Sequence, residues 1–313
     1  MKKFMPTKVK ISLIILAIIS LCSYLSAAIV LFNSGYSLSS YFSDWDSDFR
    51  WNFGWNNHYN SSGTVEKDFS PTVQNINIES ISHNLSIQSY DGSTIKVNID
   101  GHFDDNNNYT KGLSRFDITD NDVNILTNTA LRNSNFHLNI YIPKTYKNNI
   151  SLKSLSGSIN INGLELTNLL ANTTSGDIIL KNTNVNTVSL ESKSGKIDSP
   201  SITSNNSKFK TLNGNIYLGG ILGDSDVNST SGSIKLKLSN LGNISNFSSI
   251  SSDIDLTIPK EVGYTVSFST TTGTLNGRNK NVDLNKNDNI SLSNGDGSKS
   301  VTVKTTSGDL SVK

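Results

Sequence analysis

In the C-terminal half of the chain, apolar and polar residues alternate in one short frame that recurs eight times. Seven copies centre on a glycine, at Gly157, Gly176, Gly195, Gly214, Gly232, Gly273 and Gly308, and Ser252 takes that place once. Five positions before the centre the residue is always apolar: Leu152, Ala171, Leu190, Phe209, Val227, Phe247, Phe268 and Val303. Two positions after the centre it is always Ile or Leu. Four positions after, only Ser199 and Gly277 break an apolar column, and three positions before there is always Ser or Thr. Alternate residues of a strand share a face. Each copy therefore predicts two short strands, each with one apolar side, joined at a corner. The glycine reads as the bend, where a residue without Cβ is favoured. Ser252 indicates that the bend does not demand it.

The first four centres lie 19 residues apart, and the spacing then drifts. A period near twenty marks a stacked repeat, in which each unit covers the apolar face of the next. The expected fold is all-β: a β-solenoid, or parallel β-helix-like roll, of about 19-residue rungs. The Ser/Thr column should face inward and form a hydroxyl ladder between rungs, since buried hydroxyls need partners. Capping of the turns by the same hydroxyls is the rival reading. The phrase Leu138-Asn139-Ile140-Tyr141-Ile142-Pro143-Lys144 has a counterpart in Ile254-Asp255-Leu256-Thr257-Ile258-Pro259-Lys260. Because Pro cannot donate to a ladder, each phrase reads as a strand end followed by a wider turn. Weaker alternation fills residues 70–150, which are expected to begin and cap the stack.

The N-terminus is different. Residues 11–32 are uncharged and apolar, long enough to span a bilayer as a helix. Lys2, Lys3, Lys8 and Lys10 precede them, and no basic residue follows until Arg50. The positive-inside rule then gives a cytoplasmic tail (1–10), a transmembrane anchor (11–32) and an extracytoplasmic remainder. A cleaved signal peptide, ending near Ser26-Ala27-Ala28, is the competing reading and would make the chain secreted. Residues 33–69 form an aromatic-rich connector that holds all three tryptophans. Trp45, Trp51, Phe53 and Trp55 are its candidate interaction residues; a juxtamembrane tether is the plainer reading, since Trp and Tyr favour the membrane interface. The repeat domain is placed at 70–313.

Composition removes several function classes. With 27 basic and 26 acidic residues the formal charge is +1, which gives no electrostatic case for nucleic acid. The single Cys22 allows neither an internal disulfide nor a cysteine metal cluster. The four histidines are scattered, and no phosphate loop, nucleophile elbow or zinc motif is present. Asp177, Asp253 and Asp309 share the position after the centre, and Asp198 and Asp255 lie two further on. A stacked acidic column could hold Ca²⁺ or act on a polysaccharide, but other residue types interrupt this one. The expectation is a protein without cofactor or catalytic residues. It would bind or scaffold at the cell envelope, with cell-wall polymer or another membrane protein as the candidate partners.

The strand pair from Asn84-Leu85-Ser86-Ile87 to Ile95-Lys96-Val97, the phrase ending Ile142-Pro143-Lys144, and the Ser-Gly-x-Ile copies from Gly157 onward carry a resemblance. Over roughly residues 70–313 the chain resembles the bacterial adhesin-like family with β-strand repeats, domain of unknown function family 4097, which includes LiaG-like membrane proteins. The resemblance implies an extracytoplasmic solenoid-like β domain, often tethered by one helix. It supplies no catalytic residues. Some relatives are associated with cell-envelope stress systems, which makes an accessory or sensor role the alternative to a binding module.

Overall fold

The computed structural model describes residues 61–103, 114–119, 121–127, 136–277, 280–285 and 289–313. The segment 11–32 and the candidate residues Trp45, Trp51, Phe53 and Trp55 lie outside the described residues. No helix among the described residues is long and apolar enough to cross a membrane.

Regular structure among the described residues is entirely strand. The chain runs through β1 (Ser61–Phe69), β2 (Asn75–Ser80), β3 (Asn84–Tyr90), β4 (Ile95–Phe103), β5 (Ser114–Ile118), β6 (Asp122–Thr127) and β7 (Phe136–Pro143). It continues through β8 (Asn149–Ser154), β9 (Ile159–Asn162), β10 (Glu165–Thr173), β11 (Ile178–Lys181), β12 (Thr183–Ser192), β13 (Ile197–Thr211) and β14 (Ile216–Ser229). Then come β15 (Ile234–Asn240), β16 (Ile244–Ser249), β17 (Ile254–Thr257), β18 (Tyr264–Ser269) and β19 (Thr272–Gly277). The last four are β20 (Lys280–Asn285), β21 (Asn289–Asn294), β22 (Lys299–Thr305) and β23 (Leu310–Val312).

Each copy of the frame builds one rung: a strand ending at the Ser/Thr, a corner, and a second strand starting two residues after the centre. The first strands pair in parallel to form one column, and the second strands form another. In the first column Leu152, Ala171, Leu190, Phe209, Val227 and Phe247 stand side by side. In the second, Ile159, Ile178, Ile197, Ile216, Ile234 and Ile254 do the same. All twelve are essentially inaccessible to solvent. The apolar faces read from the alternation are thus the core. β13 and β14 each serve both columns, the early residues in the second and the later ones in the first.

The rungs do not follow chain order at the ends, which the repeat alone did not foretell. β2 and β3 form a rung lying between β6/β7 and β8/β9. At the other end, β22 and β23 lie between β16/β17 and β18/β19. The two Ile-Pro-Lys phrases stand where the chain must skip over an inserted rung. After Pro143 the turn crosses the start of β2, where Asn148 Nδ2 donates to Val73 O at 3.0 Å and Tyr146 Oη to Gln74 O at 3.2 Å. After Pro259 the turn is held by Asn294 Nδ2, which donates to Lys260 O and Val262 O.

Antiparallel strands close both ends, whereas the alternation placed a cap only within residues 70–150. β4 and β5 cover β7 and β6, while β20 and β21 cover β19 and β18. β1 pairs with β4 along its whole length, so residues 61–69, at the end of the aromatic connector, are part of the sheet. Such caps hide parallel edges that would otherwise recruit another chain.

The anchor glycines have a different reason from the one read in the sequence. None of them has a positive φ. Instead they stack, each rung's glycine lying against the backbone of its neighbour's. A Cβ on Gly176 would come 2.1 Å from Gly157 O, one on Gly195 1.9 Å from Gly176 O, and one on Gly214 2.1 Å from Gly195 O. Close approach, rather than a bend, excludes a side chain.

The Ser/Thr column performs both of the roles that competed for it. Ser192 Oγ accepts from Gly195 N–H at 2.8 Å, capping its own corner, and donates to Gly176 O on the previous rung at 3.0 Å. Thr173 repeats the arrangement with Gly176 and Gly157, and Ser229 with Gly232 and Gly214. The inter-rung acceptor is therefore a carbonyl. A hydroxyl-to-hydroxyl step is made where Thr305 donates to Thr270 at 2.8 Å. Where Ser252 replaces the glycine, the buried Ser249 Oγ has no partner.

Candidate binding face

The carboxylates that invited a metal or catalytic reading are occupied by the backbone. Asp177 Oδ1 accepts from Lys196 N–H at 3.0 Å, Asp253 Oδ1 from Asp309 N–H at 2.9 Å, and Asp309 Oδ1 from Thr274 N–H at 2.7 Å. Asn84 and Asn215 do the same for Ser158 and Ser233. The position after the centre is thus a ladder of side-chain acceptors, which accounts for its Asp, Asn and Ser content. Of these aspartates, only Asp253 and Asp309 occupy adjacent rungs. Asp198 and Asp255 face Lys196 and Lys313 in exposed pairs, which contribute little to stability. Among the described residues no group of three or more His, Cys, Asp or Glu is placed to hold a metal.

Asparagine ladders run across the other column. Asn75 Nδ2 donates to Asp122, Asn149 to Asn75, and Asn168 to Asn149, at 2.7–2.9 Å. Identical amides stacked at the strand spacing satisfy one another. The asparagine-rich composition is accordingly structural along this face.

His83 holds the centre position of the β2/β3 rung, in the frame Ser80-Ile81-Ser82-His83-Asn84-Leu85. Its N–H donates to Ser80 Oγ at 3.1 Å, as the glycines do to their own Ser/Thr. Burial first, and the nearby His137 second, hold its pKa below 6.5. A base with a lowered folded-state pKa lets the unfolded chain bind more protons, so stability falls as pH drops below about 6.5. Thermal melting should therefore fall between pH 7.5 and pH 5 in the wild type, and His83→Gln should fall less over the same range.

The outer side of the first column carries the concave surfaces. A groove of about 410 Å³ runs along the corner across five rungs, from Lys210 and Thr211 to Ser269–Thr271. Lys304–Thr306, on the inserted C-terminal rung, form the fourth of its five rungs, so its far end depends on that rung being out of chain order. Ten of its fourteen lining residues carry hydroxyls; Lys210 and Lys304 supply charge, and none is a carboxylate. A second, more open hollow of about 470 Å³ lies towards the strand starts, with Lys208, Asp224, Asp226 and Ile244 in its wall. Its carboxylates are engaged: Asp224 caps Asn243 and Ile244 N–H, and Asp226 accepts from Asn228 Nδ2. Neither hollow was legible as a site, because its lysines belong to distant copies of an outward position that varies freely. The seven anchor glycines, by contrast, are brought together as one buried or half-buried structural column.

A family model, Toastrack DUF4097, matches residues 73–313. No curated protein matches the chain. Solved structures do. A "putative lipid binding protein" from Parabacteroides distasonis is 13% identical, with 81% of this chain and 98% of that one covered and a TM-score of 0.49. A "putative adhesin" from Bacteroides fragilis is 12% identical over 81% and 98%, with a TM-score of 0.46. Another from Parabacteroides merdae is 13% identical over 81% and 97%, with a TM-score of 0.44.

Proposed function

The chain belongs to the Toastrack DUF4097 family, and from that premise we propose that it is a non-catalytic binding module of the cell envelope. In this reading residues 11–32 anchor it in the membrane, the N-terminus is cytoplasmic, and the β-solenoid displays its outer faces outside the cell. The observation that carries the reading is the division of labour among polar side chains. Carboxylates that could have formed a catalytic or metal row accept backbone N–H groups instead. The corner groove, meanwhile, presents two lysines and five exposed or half-buried hydroxyl side chains to solvent, its other five hydroxyl-bearing residues being buried. Such a surface offers donors and acceptors for recognition and no acid–base pair for chemistry.

Orientation is tested with Ser298→Cys in a Cys22→Ser background. Ser298 is exposed, in the turn between β21 and β22. A membrane-impermeant maleimide should label it in intact cells. Labelling only after lysis would overturn the extracytoplasmic placement.

A further inference from the structure

We infer that the corner groove seats a linear, hydroxyl-bearing anionic polymer, with Lys210 and Lys304 pairing to its charges. The inference rests on the binding-module reading and specifies its ligand. Two features carry it. First, the groove is long rather than round: five rungs at 4.7–4.9 Å per step give roughly 19 Å along the stack. A chain-like ligand can lie in it, whereas a compact molecule would leave most of it empty. Second, its charge is of one sign. Lys210 and Lys304 stand three rungs apart, about 14 Å, in register with Asn228 and Ser248 between them. No carboxylate lines the groove, although Lys210 is paired at 3.6 Å with the exposed Glu191 on the neighbouring rung just outside it.

A lysine ammonium pairs with a phosphate or a carboxylate alike, as a point charge, and the solvent-facing hydroxyls of the wall can bond the polyol between the charges.

The test uses the full chain in nanodiscs of zwitterionic lipid, titrated with poly(glycerol phosphate), polygalacturonate and neutral dextran. The proposal expects binding to the phosphate polymer and to polygalacturonate, and none to dextran. Lys210→Gln with Lys304→Gln should weaken phosphate-polymer binding about tenfold, as expected for two exposed charge contacts. Lys235→Gln with Lys237→Gln, exposed on the other column, should leave it unchanged. Melting temperatures should match the wild type in both double variants. Equal loss in the two pairs would mean general surface attraction and would overturn the groove assignment. Binding of dextran alone would overturn the anionic ligand while leaving the binding-module reading intact. Failure of surface labelling at position 298 would remove that reading independently.

Discussion

Gly195→Val should destabilise the stack by at least about 3 kcal/mol, the upper range for forced overpacking. The added Cβ would lie 1.9 Å from Gly176 O and 2.5 Å from Gly176 C. Both are backbone atoms. Gly176 O already accepts from Ser192 Oγ, so moving it away would break the inter-rung bond as well. The branched side chain adds more bulk, but the first carbon is enough; Gly195→Ala should show most of the loss. Ser252→Ala provides the contrast. That rung already accommodates a Cβ, so the change should stay within about 0.5 kcal/mol. Chemical denaturation of the three variants distinguishes stacking from bending. If the glycine served only to bend the chain, Ala, which tolerates ordinary φ, would be nearly neutral at position 195.

Deletion of residues 299–313 should have the second large effect, and a larger one than removal of a terminal repeat from a serial solenoid. The deleted strands are internal. β22 pairs with β16 on one side and β18 on the other, and β23 separates β17 from β19. They bury Val301, Val303, Leu310 and Val312. At about 1.5–3 kcal/mol for each fully buried aliphatic side chain, the loss is on the order of 6–12 kcal/mol as an upper estimate. The core faces of Phe247 and Phe268 would be opened on either side of the gap. Hydrogen exchange should then show residues 264–294 unprotected while β8–β13 keep their protection, since each rung of a stack depends on its immediate neighbours. Protection retained throughout 264–294 would mean that these strands do not need the inserted rung.

The column logic of the fold was legible because every rung repeats it. Apolar residues five before and two after the centre must be covered by copies of themselves, and a parallel stack does this with one register. The Ile-Pro-Lys phrases also announced wider turns, though not their purpose. The first rung escaped notice because His83 occupies the glycine's place; the surrounding Ser80-x-Ser82 and Leu85 were the available signal. Rung order escaped for a deeper reason. Parallel neighbours one or two rungs apart present the same apolar and hydroxyl columns, so local pattern does not choose between them. The choice is made by long-range pairing and by the antiparallel strands closing each end. The far end of the groove depends on that order, so the sequence could not reveal it either. The acidic residues were visible, but their partners are backbone N–H groups on neighbouring rungs, which only the register identifies.

The central claim is that the last rung lies inside the stack, and disulfide trapping tests it most directly. In a Cys22→Ser background, Asn246→Cys is combined either with Thr302→Cys or with Ser267→Cys. Asn246 pairs with Thr302, and Thr302 with Ser267. Adjacent parallel strands put Cα atoms about 4.8 Å apart, within disulfide reach, whereas two steps give roughly 9.5 Å, beyond it. Mild oxidation should cross-link the 246–302 pair quickly and leave the 246–267 pair reduced. Rapid closure of 246–267, with 246–302 unreacted, would restore the serial order and contradict the inserted rung.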